Sequence, residues 1–144
     1  RFSKQPDERE EHPIVSWHAM KDYFGPRAME NADEVNALLE DIYAGFKNQL
    51  GISVSMRTRL AIQDYVSAGA VVFTGESEPA YRTAIDFAVV QRLMPSIDGN
   101  GKEYRERLEA MQSIFDGNGL DRSRTELAEL IERGEKSMGW YRFF

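Results

Sequence analysis

The stretch Ser53-Val54-Ser55-Met56-Arg57-Thr58-Arg59 sets two arginines in the opening turns of an expected helix. The helix macrodipole disfavours cations there by a few tenths of a kcal/mol to about 1 kcal/mol. Neither arginine has an acid four residues on, where Ala61 and Gln63 stand. Unpaired N–H groups at a helix start, with a projecting guanidinium beside them, suit an anion such as phosphate. The plainer reading leaves both arginines in solvent or paired with an acid elsewhere in the fold.

Other chemistry is missing from the sequence. It has no G-x-x-x-x-G-K-[ST] loop to cradle phosphates, no G-x-G-x-x-G and no G-x-S-x-G. His12 and His18 do not fit H-E-x-x-H and read as ordinary polar residues, so no metal site is expected. Asp-Gly-Asn-Gly occurs at 98–101 and again at 116–119. A calcium loop from Asp98 needs Gly where Glu103 stands, and one from Asp116 needs Glu where Leu127 stands. Both copies read instead as helix stops, with Asn and Gly taking up left-handed backbone.

Composition bounds the remaining choices. The chain has 144 residues, is 42% hydrophobic, and sets 18 Lys+Arg against 24 Asp+Glu for a net charge of −6. That length can bury a core as one domain, and the hydrophobic content is too high for a disordered chain. The absence of cysteine excludes disulfides, thiolate metal sites and Cys nucleophiles, and points to the cytoplasm. No apolar run approaches a membrane span and no signal-peptide core is present, so no membrane partner is expected. The acidic balance argues against broad phosphate-backbone binding. Five acids and one lysine in residues 28–50 hold −4 of the charge. The five bases of 121–144 are matched by five acids, so no DNA-reading surface stands out.

Helices must position the arginines. Residues 1–13 read as a linker, and Ile14–Phe24 as a short docking helix ended by Gly25-Pro26. The clearest helix runs from Asp33 to Leu50, with Val35, Leu38, Leu39, Ile42, Phe46 and Leu50 inward, Asn31 or Asp33 as cap and Gly51 as stop. A second starts near Ser55 and ends near Gly69, with Met56, Leu60, Ala61, Tyr65 and Val66 inward. A third opens at Ser77-Glu78-Pro79, runs through Ala84, Ile85, Ala88 and Leu93, and halts at Pro95 as the central helix. A fourth covers about Lys102–Phe115, with Tyr104, Leu108, Met111 and Phe115 inward. A fifth starts at a Ser123–Glu126 capping box, buries Leu127, Leu130 and Ile131, and stops at Gly134. The tail Trp140-Tyr141-Arg142-Phe143-Phe144 is expected to fold back or pair as a short strand. The expected fold is all-α: a compact bundle of four to five main helices with an aromatic C-terminal tail.

The order of short motifs resembles the C-terminal helical lid of AAA+ ATPases, nearest the McrB-like and MoxR-like branches. Gly51-Ile52-Ser53-Val54-Ser55-Met56-Arg57 resembles the opening of the lid helix. Ala84-Ile85-Asp86 followed by Arg92 to Gly99 resembles the "A-x-D … lP-x-x-x-G" segment. Ser123 to Ile131, then Gly139 and the terminal aromatics, resembles the closing "S-x-x-K-L … G-F-x-F" helix and tail. Met56 stands where an aromatic or proline is commoner, and Thr125-Glu126 replaces a basic residue, which bears on the branch more than on the lid.

This resemblance implies a lid domain over 14–144, joined by 1–13 to an ATPase core that lies outside this sequence. It implies that Arg57 is the sensor-2 arginine reaching the γ-phosphate of ATP, with Arg59 as second choice and Arg1 near an arginine-finger position. ATP and Mg²⁺ would be held through that core, so the fragment itself would not hydrolyse ATP. Implied partners are that core and a ring of identical subunits, with nucleic acid reached only indirectly in a restriction-type machine. The alternative is a free-standing acidic helical adaptor for protein partners, using the 33–50 helix and the aromatic tail as contact surfaces. A phosphate-binding loop and an acidic magnesium motif upstream of Arg1 would separate the two.

Overall fold

A computed structural model describes residues 32–72 and 80–144. The expected linker 1–13, the Ile14–Phe24 helix, the Asn31 cap and the Ser77–Pro79 helix opening lie outside the described residues.

The bundle is helical as expected. α1 (Ala32–Leu50) buries Val35, Leu39, Ile42, Tyr43 and Phe46 on one stripe. Its start at Ala32 places Asp33 inside the first turn rather than at the cap. Gly51, at φ +70°, closes it by donating its N–H to Lys47 O at 3.0 Å. α2 (Met56–Val72) continues through Gly69, which keeps helical backbone on the buried face, so the expected early stop is wrong. Its buried residues include Ile62 and Val66, whereas Met56, expected inward, is 68% exposed. Leu60, Ala61 and Tyr65 are only partly buried.

α3 (Ala80–Ala88) leads into a π-turn over Val89–Leu93 and a 3-10 turn over Met94–Ser96. Met94 donates its N–H five residues back to Val89 O, and Pro95, having no N–H, falls in the tighter turn. The helix therefore ends by widening and then tightening, not by a simple halt before Pro95. β1 (Asp98–Asn100) follows, so the first Asp-Gly-Asn-Gly forms a strand and not a helix stop. α4 (Lys102–Gly117) buries Leu108, Met111 and Phe115. It ends at the second copy in a Schellman arrangement: Leu120 N–H bonds Phe115 O, and Gly119 N–H bonds Asp116 O, with Gly119 at φ +71°. α5 (Asp121–Lys136) starts two residues before Ser123 and runs past Gly134, which corrects both expected ends. β2 (Trp140–Arg142) pairs antiparallel with β1, Gly99 opposite Tyr141.

α2 lies along α3, α4 along α5, and α1 against α4, where the rings of Phe46 and Phe115 meet at 6.3 Å. Phe46, Phe115, Ile62, Ile85, Met94, Leu108, Leu127 and Leu130 form one shared core without solvent access. Among the described residues, no helix is long and apolar enough to cross a membrane.

The aromatic tail splits in its behaviour. Tyr141 is buried and Phe143 half-buried, while Trp140 and Phe144 remain 48% and 88% exposed. Tyr141 fits because Gly134 has no side chain: a Cβ there would lie 2.0 Å from the Tyr141 ring. The Tyr141 hydroxyl donates to Glu135, which Arg105 also grips at 3.2 Å. Arg133 donates to Phe143 O at 3.0 Å. The hydrogen bond from Tyr141, with Arg105 helping, holds the Glu135 carboxyl below its ordinary range, and the same bond raises the Tyr141 phenol.

Two outcomes follow from this closure. Gly134→Ala should displace the Tyr141 ring and lower stability by about 2 kcal/mol in urea unfolding. Glu135 has a depressed folded pKa, so its contribution is present above the unfolded value of 4.5 and fades as pH falls through the folded value. Glu135→Gln should remove that part of the acid-limb dependence of the urea midpoint.

Candidate functional site

The head of α2 carries the arginines. The connector before it is tied to α1 by Lys47 Nζ, which donates to Ser53 Oγ at 2.9 Å. Ser55 caps the helix: the Thr58 N–H donates to Ser55 Oγ at 3.2 Å, and the Arg59 N–H to Ser55 O at 2.9 Å. Ser55 Oγ donates in turn to Thr58 Oγ1 at 3.0 Å.

The two guanidiniums have different surroundings. Arg57 is exposed and forms no ion pair among the described residues. Arg59 turns back onto the protein. Its Nε donates to Val54 O at 3.1 Å, one terminal nitrogen meets Glu40 Oε2 at 3.4 Å, and its guanidinium lies 4.4 Å from the centre of the Tyr43 ring. Burial pushes the Tyr43 phenol up to about 12, so the ring meets Arg59 as a neutral π face. Arg59, Tyr43, Glu40, Met56 and Leu60 line a cleft of about 210 Å³ between α1 and α2. Arg1, His12 and His18 lie outside the described residues.

A second cluster joins α3 to α5. The start of α5 has no side-chain cap of its own, since Leu120 holds the cap position. Asp86 of α3 fills that role from across the bundle. Its Oδ2 accepts the Arg122 N–H at 2.8 Å, and its Oδ1 accepts the Ser123 N–H at 2.7 Å. The Ser123 hydroxyl, fully buried, donates to the same Oδ1 at 2.6 Å. The expected Ser123–Glu126 capping box is therefore replaced by a cap from another helix. A carboxylate is well placed there, since it meets both the unpaired N–H groups and the positive end of the helix.

Two larger clefts lie away from Arg57 and Arg59. One of about 470 Å³ opens beside Asp86, where Arg122 stacks on Phe87 at 4.3 Å. Its neighbour of about 680 Å³ is rimmed by Glu34, Asp41 and Asp116. Among the described residues, no three His, Asp or Glu side chains cluster to hold a metal ion. The acids of the 33–50 region are partly engaged within the fold: Glu40 with Arg59, and Asp41 with the Asn118 side chain at 2.9 Å.

Sequence reasoning missed Tyr43 and the structural work of Asp86. Tyr43 lies four residues after Leu39 on the same stripe, so helical periodicity alone points it inward. Asp86 stood inside a recognised motif, but nothing local showed that its partner was thirty-seven residues away.

Asp86→Ala should cost about 3 kcal/mol, because two backbone donors and a buried hydroxyl lose a charged acceptor. Ser123→Ala should cost about 1 kcal/mol. Urea unfolding of both variants checks the ratio.

A family model described as a domain of unknown function (DUF8727) matches residues 10–139. No curated protein and no solved structure matches the chain.

Proposed function

The chain belongs to the family of that domain of unknown function (DUF8727), and we propose that it serves as the helical lid of an AAA+ ATPase. One observation carries the reading. At the capped head of α2, Arg57 is exposed and unpaired among the described residues, while its neighbour Arg59 is bound into the fold. A guanidinium presented this way suits a phosphate held by another domain.

The motif order supports the same reading. Asp86 of the A-x-D segment grips Ser123 of the closing helix, and Gly99 pairs with Tyr141 of the aromatic tail. Motifs separated in sequence thus meet in space as parts of one unit. The adaptor reading draws less support, since Glu40 and Asp41 of its acidic surface already have partners in the fold.

In this role Arg57 stabilises charge developing on the γ-phosphate and reports nucleotide state through movement of the lid. ATP and Mg²⁺ belong to the core, the assembly is a ring of identical subunits, and the compartment is the cytoplasm. The remodelling is of restriction or chaperone type.

In the full-length protein, Arg57→Ala should lower ATP turnover about tenfold or more while leaving thermal unfolding unchanged. Unchanged turnover would remove Arg57 from this role and the lid reading with it.

A further inference from the structure

We propose that Arg59 is a positioning residue for Arg57: it locks the head of α2 to α1 and so fixes where the Arg57 guanidinium points. This rests on the lid reading.

Arg59 lies where the helix dipole is unfavourable to a cation, so its retention there needs offsetting contacts. It has three, and they reach different parts of the chain. The Nε bond to Val54 O holds the connector just before the helix. The Glu40 pair and the Tyr43 ring hold α1. Arg59 therefore joins the connector, α1 and the first turns of α2 at one point.

Arg57 is two residues earlier on the same helix, about 200° around the axis. Its side chain leaves the opposite side from the clasp and meets no acid among the described residues. The position of the Arg57 backbone is thus set by a neighbour whose own side chain faces away from the ligand side. A flat guanidinium is required for this. It can donate through Nε, pair through a terminal nitrogen and lie over a ring at the same time, and a lysine ammonium cannot do all three.

The pair Glu40 and Arg59 is substantially exposed, at 69% and 36% of their side chains, so its ionic strength alone is modest. The constraint comes from the combination of contacts. With Arg59 removed, Val54 O loses this donor and the head of α2 loosens without exposing the core residues Ile62 and Val66.

The test uses the full-length protein and two readouts. Arg59→Ala should speed amide hydrogen exchange at Thr58 to Leu60 at least about tenfold and leave α4 and α5 unchanged. It should lower kcat for ATP by about tenfold with thermal unfolding little altered. Arg59→Lys should stay close to Arg59→Ala in kcat. In the Arg57→Ala background, adding Arg59→Ala should lower kcat no further, because the positioned group is already gone.

Unchanged exchange at the head of α2 would overturn the clasp. A further, independent loss of kcat in the double variant, or full activity in Arg59→Lys, would overturn the positioning role. If Arg57→Ala itself leaves turnover unchanged, the lid reading fails, whatever the exchange data show.

Discussion

The carboxylate of Asp86 is the contact on which the arrangement of the second half of the chain turns. A helix start leaves backbone N–H groups without partners, and burying such an end without compensation is costly. α5 begins at Asp121 with Leu120 before it, so it carries no side-chain cap there. Asp86 accepts the second and third N–H groups of that helix and the buried Ser123 hydroxyl. The interaction satisfies α5 only when α3 lies in one position beside it. Apolar packing between α3 and α5 can tolerate sliding, whereas three directed hydrogen bonds to one carboxylate cannot.

Fixing α5 in turn sets the site where the tail closes. The last turn of α5 offers Gly134 as a flat seat for Tyr141 and Glu135 as acceptor for its hydroxyl. β2 then meets β1, which enters from the end of α3 through the π and 3-10 turns. Met138, at φ +61°, accepts a backbone shape that glycine adopts more easily. The strand pairing and the Tyr141 anchor on the far side of that turn hold it in place.

The head of α2 is built on a contrasting plan. Its cap, Ser55, is local, and its connector is secured by short-range contacts from Lys47 and Arg59. The helix is buried further along, at Ile62 and Val66. Its first turn is left outside the core, which is why Met56 and Arg57 meet solvent. One short segment thus sets an arginine bound to α1 two residues from one that meets solvent.

The all-α class, the span of the 33–50 helix, the Ser55 start, and the buried stripes at Leu108, Met111 and Phe115 or Leu127 and Leu130 were legible in the sequence. Each depends on periodicity or on a cap within a few residues, and such signals survive without knowledge of the fold. The anomaly at Arg57 and Arg59 was legible too, as a pair of cations where the helix dipole disfavours them. Which of the two is committed was not legible, because Glu40 and Tyr43 lie on another helix. The cap of α5 was misplaced for the same reason: Ser123 and Glu126 fit a local pattern, but a carboxylate from α3 reaches the N–H groups instead. Gly134 and Gly69 read as stops because glycine often ends helices, yet Gly134 seats a distant ring and Gly69 lies within a buried stretch. Local hydrogen bonding and hydrophobic spacing were set by the sequence alone. The choice among competing partners was made only in the tertiary structure, where groups far apart in the chain come within bonding distance.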